Sequence, residues 1–167
     1  MSGRIRALTH DDRTIAVPGA ADVRAIERPI RGCGLFTPEE ADGFVAMLPD
    51  LHSDPAARWR VLRRGAEALG AAYLRPEPMS GDVRNLLFIG LVPEARGQGG
   101  GTALLRACEA ACRVAGGRLL LVETSDAAGL APARGFYAAR GYEEMGRVRD
   151  DYAPGEAKVI FRRALGA

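Results

Sequence analysis

The sequence predicts a mixed α/β domain: helices packed around a largely antiparallel central sheet, with one parallel βαβ crossover. Three observations carry that expectation. NLLFIGLV, residues 85–92, is a continuous apolar run suited to a central strand covered on both faces. RLLLVET, residues 118–124, is a second such run, and a glycine-rich loop and a helical pattern lie between the two, which is the order that makes parallel neighbours. The other strand candidates come in pairs around short polar turns, as antiparallel hairpins do. At 167 residues the chain has material for one core and not comfortably for two, and no repeat or low-complexity linker divides it, so residues 1–167 read as a single domain.

The elements follow in order. A first strand falls either at residues 4–8 or at 14–17. Residues 21–30 have helical spacing, with Val23, Ile26 and Ile30 on one face. In TPEEADGFVAML, Thr37 suits the N-cap, Pro38 the first helical position, and Glu39 and Glu40 the positive end of the helix dipole; the helix is expected to end near Leu48, before Pro49. RWRVLRR, the turn GAE and ALGAAYL form a hairpin. Gly90 interrupts the central strand, which marks a bulge or a close approach by another backbone or a ligand. After the glycine loop, Leu104, Leu105, Cys108, Ala111, Cys112 and Ala115 share a helical face, with Arg106, Glu109 and Arg113 outside it, and Gly116 and Gly117 end the helix. Pro132 opens a short helix that Gly141 closes, and YEEMGRVR and AKVIFRR flank the turn-rich DDYAPGE as a last hairpin.

Composition excludes several classes of function. No apolar run approaches the ~18 residues of a membrane span, and MSGRIRALTHDD lacks the apolar centre of a secretory signal, so the reading is a cytoplasmic protein with no membrane role. His10 and His52 are the only histidines, which leaves little material for a Ser-His-Asp relay or a histidine metal site, and no metal is expected. Cys33, Cys108 and Cys112 read as small buried side chains. Lys158 is the only lysine; the wealth of Arg, Ala and Gly points to a GC-rich bacterial genome. The arginines are spread among acids along the chain rather than clustered with aromatics, which argues against a nucleic-acid partner.

The segment PEARGQGGGTALLRA asks for an explanation, because glycine loses more conformational freedom on folding than any other residue and four stand between positions 97 and 101. A strand that ends in a glycine-rich turn and feeds a helix N-terminus offers unpaired N–H groups and a positive dipole end to one spot, which suits a phosphate. The bland alternative is a tight strand-to-helix turn. A Walker A loop needs Lys before Ser or Thr, and here Gly101 precedes Thr102. The dinucleotide fingerprint needs a third small residue, and its two registers place Leu104 or Thr102 there. A third pattern, R/Q-x-x-G-x-G/A, fits Arg96, Gly97, Gln98, Gly99, Gly100 and Gly101 in full. It is the pyrophosphate loop of the GCN5-related N-acetyltransferase (GNAT) superfamily. LVPEARGQGGGTALL resembles that family's fourth strand, loop and third helix, ARGFYAARGYEE resembles its later tyrosine-bearing motif, and LLLVETS with RVRDDYAPGEAKVIF is similar to a bacterial subgroup. Together these stretches cover residues 85–163, about half of the chain.

The resemblance implies the GNAT fold and an acetyl-CoA-dependent N-acetyltransferase in which the donor lies in a V-shaped opening between the fourth and fifth strands. By the same carry-over, main-chain groups of Leu91 and Val92 pair with the pantetheine arm, the amides of Gln98, Gly99, Gly100, Gly101 and Thr102 cradle the pyrophosphate beside Gly97, and Arg96 adds a charged contact. Tyr137 matches the proton donor to the departing thiolate; Phe136 cannot act as an acid and Tyr142 is the other candidate. Glu123, the only acid in its apolar strand, either takes the amine's proton, positions the substrate, or is simply paired with an arginine. Asn85 offers no titratable alternative, Glu94 reads as solvated, and Asp150 and Asp151 read as turn formers that could attract a cationic amine. Gly90, and the lack of an asparagine near the start of the tyrosine helix, depart from the family pattern. The expected partner is the amine of a small molecule or peptide, of unidentified nature; a homodimer is compatible with the superfamily, and the rival reading is a non-catalytic acyl-CoA sensor on the same fold.

Overall fold

The structure, a computed structural model, describes residues 12–166. In chain order its elements are β1 (Arg13–Ala16), α1 (Val23–Gly32), α2 (Pro38–Ser53), β2 (Arg58–Arg64), β3 (Glu67–Pro76), β4 (Val83–Leu91), α3 (Gly100–Val114), β5 (Leu119–Ser125), α4 (Ala131–Ala138), β6 (Glu143–Ala153) and β7 (Glu156–Ala164). Among the described residues the strands form one seven-stranded sheet in the order β1-β2-β3-β4-β5-β7-β6. Every neighbouring pair is antiparallel except β4 and β5, joined in parallel through α3, which is the architecture the sequence predicts. Of the two expected positions for the first strand the later is occupied, and residues 4–8 lie outside the described residues.

Each face of the sheet carries its own core. On the side of α3, Leu62, Leu74, Leu86, Leu104, Leu120, Val122, Val159 and Phe161 pack together. On the side of α1 and α2, Ile26, Ile30, Leu48, Val61, Tyr73 and Phe88 do so, with Trp59 stacked on Tyr73 at 4.6 Å between ring centroids. Trp59 and Tyr73 stand directly opposite in the β2–β3 register, so the stacking also fixes that register. Each fully buried Leu or Ile contributes roughly 1.5–3 kcal/mol, which makes the two-sided burial of β3 and β4 the main support of the strand that carries the site.

Four expectations are corrected. The helix begun by Thr37, whose hydroxyl accepts from the Glu40 amide, does not stop before Pro49 but continues to Ser53. The proline removes one ladder hydrogen bond, yet the turn beyond it is held from outside: Leu51 packs on the second core, and the Trp59 indole donates to the Leu51 carbonyl at 3.4 Å. The bulge of β4 lies not at Gly90 but at Leu87, because Tyr73 faces Phe88 while Leu74 faces Leu86. Gly90 pairs regularly with Ala71; its missing side chain admits the Cys33 Cβ and the Phe88 ring, both 2.8 Å from where a Cβ would stand. Glu109 is buried rather than outside α3, because Tyr142 donates to it at 3.0 Å and Arg163 pairs with it at 3.2 Å. Finally, strand β6 runs through Asp150 and Asp151, and the hairpin turns only at Pro154 and Gly155, where φ is +81°. The three cysteines are buried and free, as small core side chains.

Candidate active site

β4 and β5 are paired over only four rungs, from Val83–Leu119 to Leu86–Val122. Beyond that point they part: β5 continues to Ser125 bonded to β7 alone, and β4 continues to Leu91 bonded to β3 alone. The separation begins at the Leu87 bulge, where an extra residue bends the strand and breaks its alternation. A cavity of about 680 Å³ fills the gap, lined along the strands by Phe88, Ile89, Leu91, Glu123 and Thr124 and capped by Phe136 and Tyr137 of α4.

One side of this opening is the glycine loop. Gly97 and Gly99 have φ of +68° and +78°, the left-handed region that side chains resist, and Gly99 caps α3. Gly100 and Gly101 are small for another reason: a Cβ on Gly100 would stand 2.8 Å from Leu62, and one on Gly101 3.3 Å from both Leu91 and the Phe136 ring. The glycines thus shape the turn and bring α3 close to β4 and α4. Ala103 makes the first intrahelical bond, to the Gly99 carbonyl at 3.0 Å, so the amides of Gly100, Gly101 and Thr102 have no helical acceptor. Among the described residues no protein acceptor takes an amide from Gln98 to Thr102. These donors sit at the positive end of a 15-residue helix dipole, equivalent to about +0.5 charge. They form a ready anion cradle.

The other residues implied for the donor separate. Val92 donates its N–H to the Leu69 carbonyl at 2.9 Å and accepts from Ala95 at 3.0 Å, so its main chain is committed within the protein. Because donors alternate along an antiparallel ladder, Leu91 and Ile89 direct theirs away from β3, into the gap. Of the expected pair, only Leu91 has its main-chain groups facing the gap. Arg96 lines the cavity, but its Nη2 donates to the Cys33 carbonyl at 2.6 Å, tying the loop to the end of α1. Thr102 turns its hydroxyl away to accept from Arg140, at 2.9 and 2.7 Å, and the same guanidinium lies 3.7 Å over the Phe136 ring.

Tyr137 is 5% exposed, edge-on to Phe136 at 5.3 Å and to Tyr142 at 5.7 Å. Burial pushes its phenol well above the ordinary value, so it holds a proton at neutral pH. Among the described residues its hydroxyl makes no internal hydrogen bond, whereas that of Tyr142 is committed to Glu109. Glu123 is not paired with an arginine. Its Oε1 accepts from Asn85 Nδ2 at 2.9 Å, and its Oε2 lies 3.3 Å from Nζ of Lys158. Asn85 also donates to Glu77 at 2.8 Å; two carboxylates on one nitrogen fix the orientation of the amide and leave its buried Oδ1 without a partner. Asp150 accepts from the Gly155 amide as a turn former, but Asp151 reaches the site through Lys158, at 2.9 Å. Glu94 is half-exposed and paired with Arg28.

Lys158, Leu35, Phe36, Tyr152 and Glu156 are the site residues that sequence reasoning misses. Only Lys158 left a usable signal, as the sole lysine in an alternating strand. Ser125 donates a hydrogen bond to Glu156, fixing a second carboxylate beside the opening. Among the described residues no group of His, Cys, Asp and Glu side chains is arranged to hold a metal, and no helix is long and apolar enough to cross a membrane.

Known structures share this fold. A protein assigned to the GNAT-family acetyltransferases of Desulfovibrio desulfuricans is 27% identical, with a TM-score of 0.86 over 92% of this chain and 99% of that one. The ribosomal-protein-S18-alanine N-acetyltransferase of Escherichia coli is 20% identical, with a TM-score of 0.75 over 93% and 95%. An aminoglycoside 6′-N-acetyltransferase complexed with coenzyme A is 15% identical, with a TM-score of 0.80 over 92% and 98%. The last two likenesses speak to the fold alone. No curated protein matches the sequence. The family model of the acetyltransferase (GNAT) family matches residues 22–142, well over half of the chain, and spans both the parting strands and the glycine loop. This chain therefore belongs to the GNAT family of acetyltransferases.

Proposed function

We propose that the protein transfers the acetyl group of acetyl-CoA to a primary amine by direct attack within a ternary complex. The observation that carries this reading is the set of unpaired amides from Gln98 to Thr102 at the mouth of a parted sheet. A diphosphate satisfies those donors, and the free main-chain edge at Ile89 and Leu91 can pair with the amides of a pantetheine arm laid along β4. Coenzyme A bound to a structural neighbour supports the same choice of ligand.

The chemistry asks little of the chain. The amine nitrogen attacks the thioester carbonyl carbon, the C–S bond breaks, and an amide and a free thiol result. Tyr137, protonated and buried at the gap, gives its proton to the departing sulfur and recovers one from solvent, which takes up the proton that the attacking nitrogen loses as it becomes an amide. Glu123 and Glu156 make the other end of the cavity attractive to a cationic acceptor. With Asn85 and Lys158 already on its oxygens, Glu123 orients the acceptor and passes its proton through water, rather than removing it by direct contact. The catalysed step then requires the neutral amine, so the rate rises with pH through the acceptor's own pKa.

The test is release of free thiol from acetyl-CoA across a panel of primary amines, from small diamines and aminosugars to peptide N-termini. Amine-dependent release supports the reading. Coenzyme A binding without release from any amine would leave a non-catalytic acyl-CoA binder.

A further inference from the structure

The last hairpin carries an irregularity that nothing in acetyl transfer itself demands. In the β6–β7 register Val148 faces Lys158 and the next pair is Ala153 with Glu156, so residues 149–152 stand opposite Ala157 alone. β6 is also the edge of the sheet, and no strand pairs with its other side among the described residues. Within the bulge Asp150 adopts φ of +56°, a left-handed conformation that is unfavourable for a residue with a side chain. Two contacts hold this segment: the Gly155 amide donates to Asp150 at 2.7 Å, and Asp151 pairs with Lys158 at 2.9 Å. Tyr152, at the end of the bulge, lines the catalytic cavity.

Lys158 has a second partner. Glu123 faces Ile160 across the β5–β7 register, which places Lys158, two residues before Ile160, diagonally beside Glu123 on the same face of the sheet. Its Nζ lies 3.3 Å from the Glu123 carboxylate and 5.8 Å from the centre of the Tyr152 ring. A single ammonium thus links the central strand of the site to an edge-strand bulge with few other attachments. A half-buried cation between two carboxylates is better placed than an exposed ion pair to hold a loop, because less solvent competes for it.

We propose that Lys158 is a positioning residue for the acceptor: it fastens the bulge at residues 149–152 to Glu123 and thereby sets Tyr152 at the acceptor end of the cavity, a role that presupposes the acetyl-transfer reading above. The side of the cavity formed by the glycine loop is independent of this fastening, so acceptor and donor parameters separate. The experiment measures hydrogen–deuterium exchange of peptides covering residues 149–153, together with steady-state kinetics, in wild type, Lys158→Met, Lys158→Arg and Asp151→Asn. Lys158→Met and Asp151→Asn are expected to speed exchange about tenfold and to raise the acceptor KM about tenfold, with the acetyl-CoA KM within about twofold. Lys158→Arg, whose guanidinium can still span both carboxylates, stays near wild type in exchange and in acceptor KM. Wild-type exchange in Lys158→Met, or faster exchange with an unchanged acceptor KM, overturns the proposal. Should Lys158→Met fail to fold, Asp151→Asn decides by the same two readings, since it leaves the Lys158–Glu123 pair in place. A wild-type protein that acetylates no amine defeats the acetyl-transfer reading and leaves the exchange rates to decide the fastening by themselves.

Discussion

Leu86 and Phe88 stand two positions apart in one strand yet lie in opposite cores, Leu86 beneath α3 and Phe88 beneath α1 and α2. In an uninterrupted strand they would share a face. The residue between them, Leu87, is the extra one, half-exposed and unpaired opposite the Tyr73–Leu74 step, and the same dislocation starts the separation of β4 from β5. The gap between β4 and β5 and the face switch therefore have one cause.

Deleting Leu87 makes Leu86 and Phe88 neighbours and leaves them on opposite faces by plain alternation. The chain is therefore expected to fold, but with β4 running regularly beside β5, the gap narrowed and coenzyme A affinity lower by about tenfold or more. Leu87→Ala keeps the residue count and should change stability by about 1 kcal/mol or less. Circular dichroism, thermal melts and coenzyme A titration of the two variants check this; a folded deletion variant that binds coenzyme A as wild type does would refute the role given to the bulge.

Gly99→Ala places a Cβ at φ +78° with open space around it, so the penalty is conformational rather than a clash. We expect a loss of about 1 kcal/mol in stability and a coenzyme A affinity lower by about tenfold, as the helix cap tilts the amides out of register. Gly100→Ala acts differently, pressing on the flexible end of Leu62 at 2.8 Å, and should affect stability more than binding. Calorimetric titration with coenzyme A and denaturant melts separate the two effects.

Tyr137→Phe keeps the aromatic packing against Phe136, Tyr142 and Phe161 and removes only the hydroxyl. Turnover is expected to fall about a hundredfold, with coenzyme A binding within about twofold. Equal turnover in the two proteins would remove Tyr137 from the chemistry.

The pH dependence of stability has a definite sign. Burial raises the phenols of Tyr137 and Tyr142 above 10.0 and pushes the Cys108 thiol from 9.0 up to about 12, and the hydrogen bond to Asp151 raises Lys158 above 10.5. In each case the folded state holds its proton more tightly than the unfolded chain. The resulting stabilisation is complete below the unfolded values and is lost as pH rises through the folded ones. Stability should therefore decline from about pH 9 upward, first through Cys108 and then through the tyrosines and Lys158, and Cys108→Ala should flatten the first part of the decline. Urea midpoints between pH 7 and 11 test this; a midpoint that rises across that range would contradict it.

How much of this was legible in the sequence depends on how local each cause is. The glycine loop could be read directly, because left-handed turns and a helix N-terminus leave marks on the residues that form them; Gly97 and Gly99 stand where φ requires them. Packing gave Gly100 and Gly101 their reason, and that needed Leu62, Leu91 and Phe136 in place. The bulge at Leu87 was invisible, since a leucine in an apolar run looks the same whether or not it is paired, and Gly90 drew the expectation instead. Pro49 and Glu109 were misread because Trp59, Tyr142 and Arg163, distant in sequence, override the local preference. The partner of Glu123 depends on the register between β5 and β7, and no single strand carries that information.

The most direct test is an amide-resolved titration of isotope-labelled protein with coenzyme A. The largest shifts are expected at the amides of Gln98 to Thr102, with a second group along Ile89 and Leu91, and pantetheine, which lacks the diphosphate, should shift only the second group. Coenzyme A that leaves residues 98–102 unmoved would contradict the assignment of these donors to a diphosphate, and with it the proposed function.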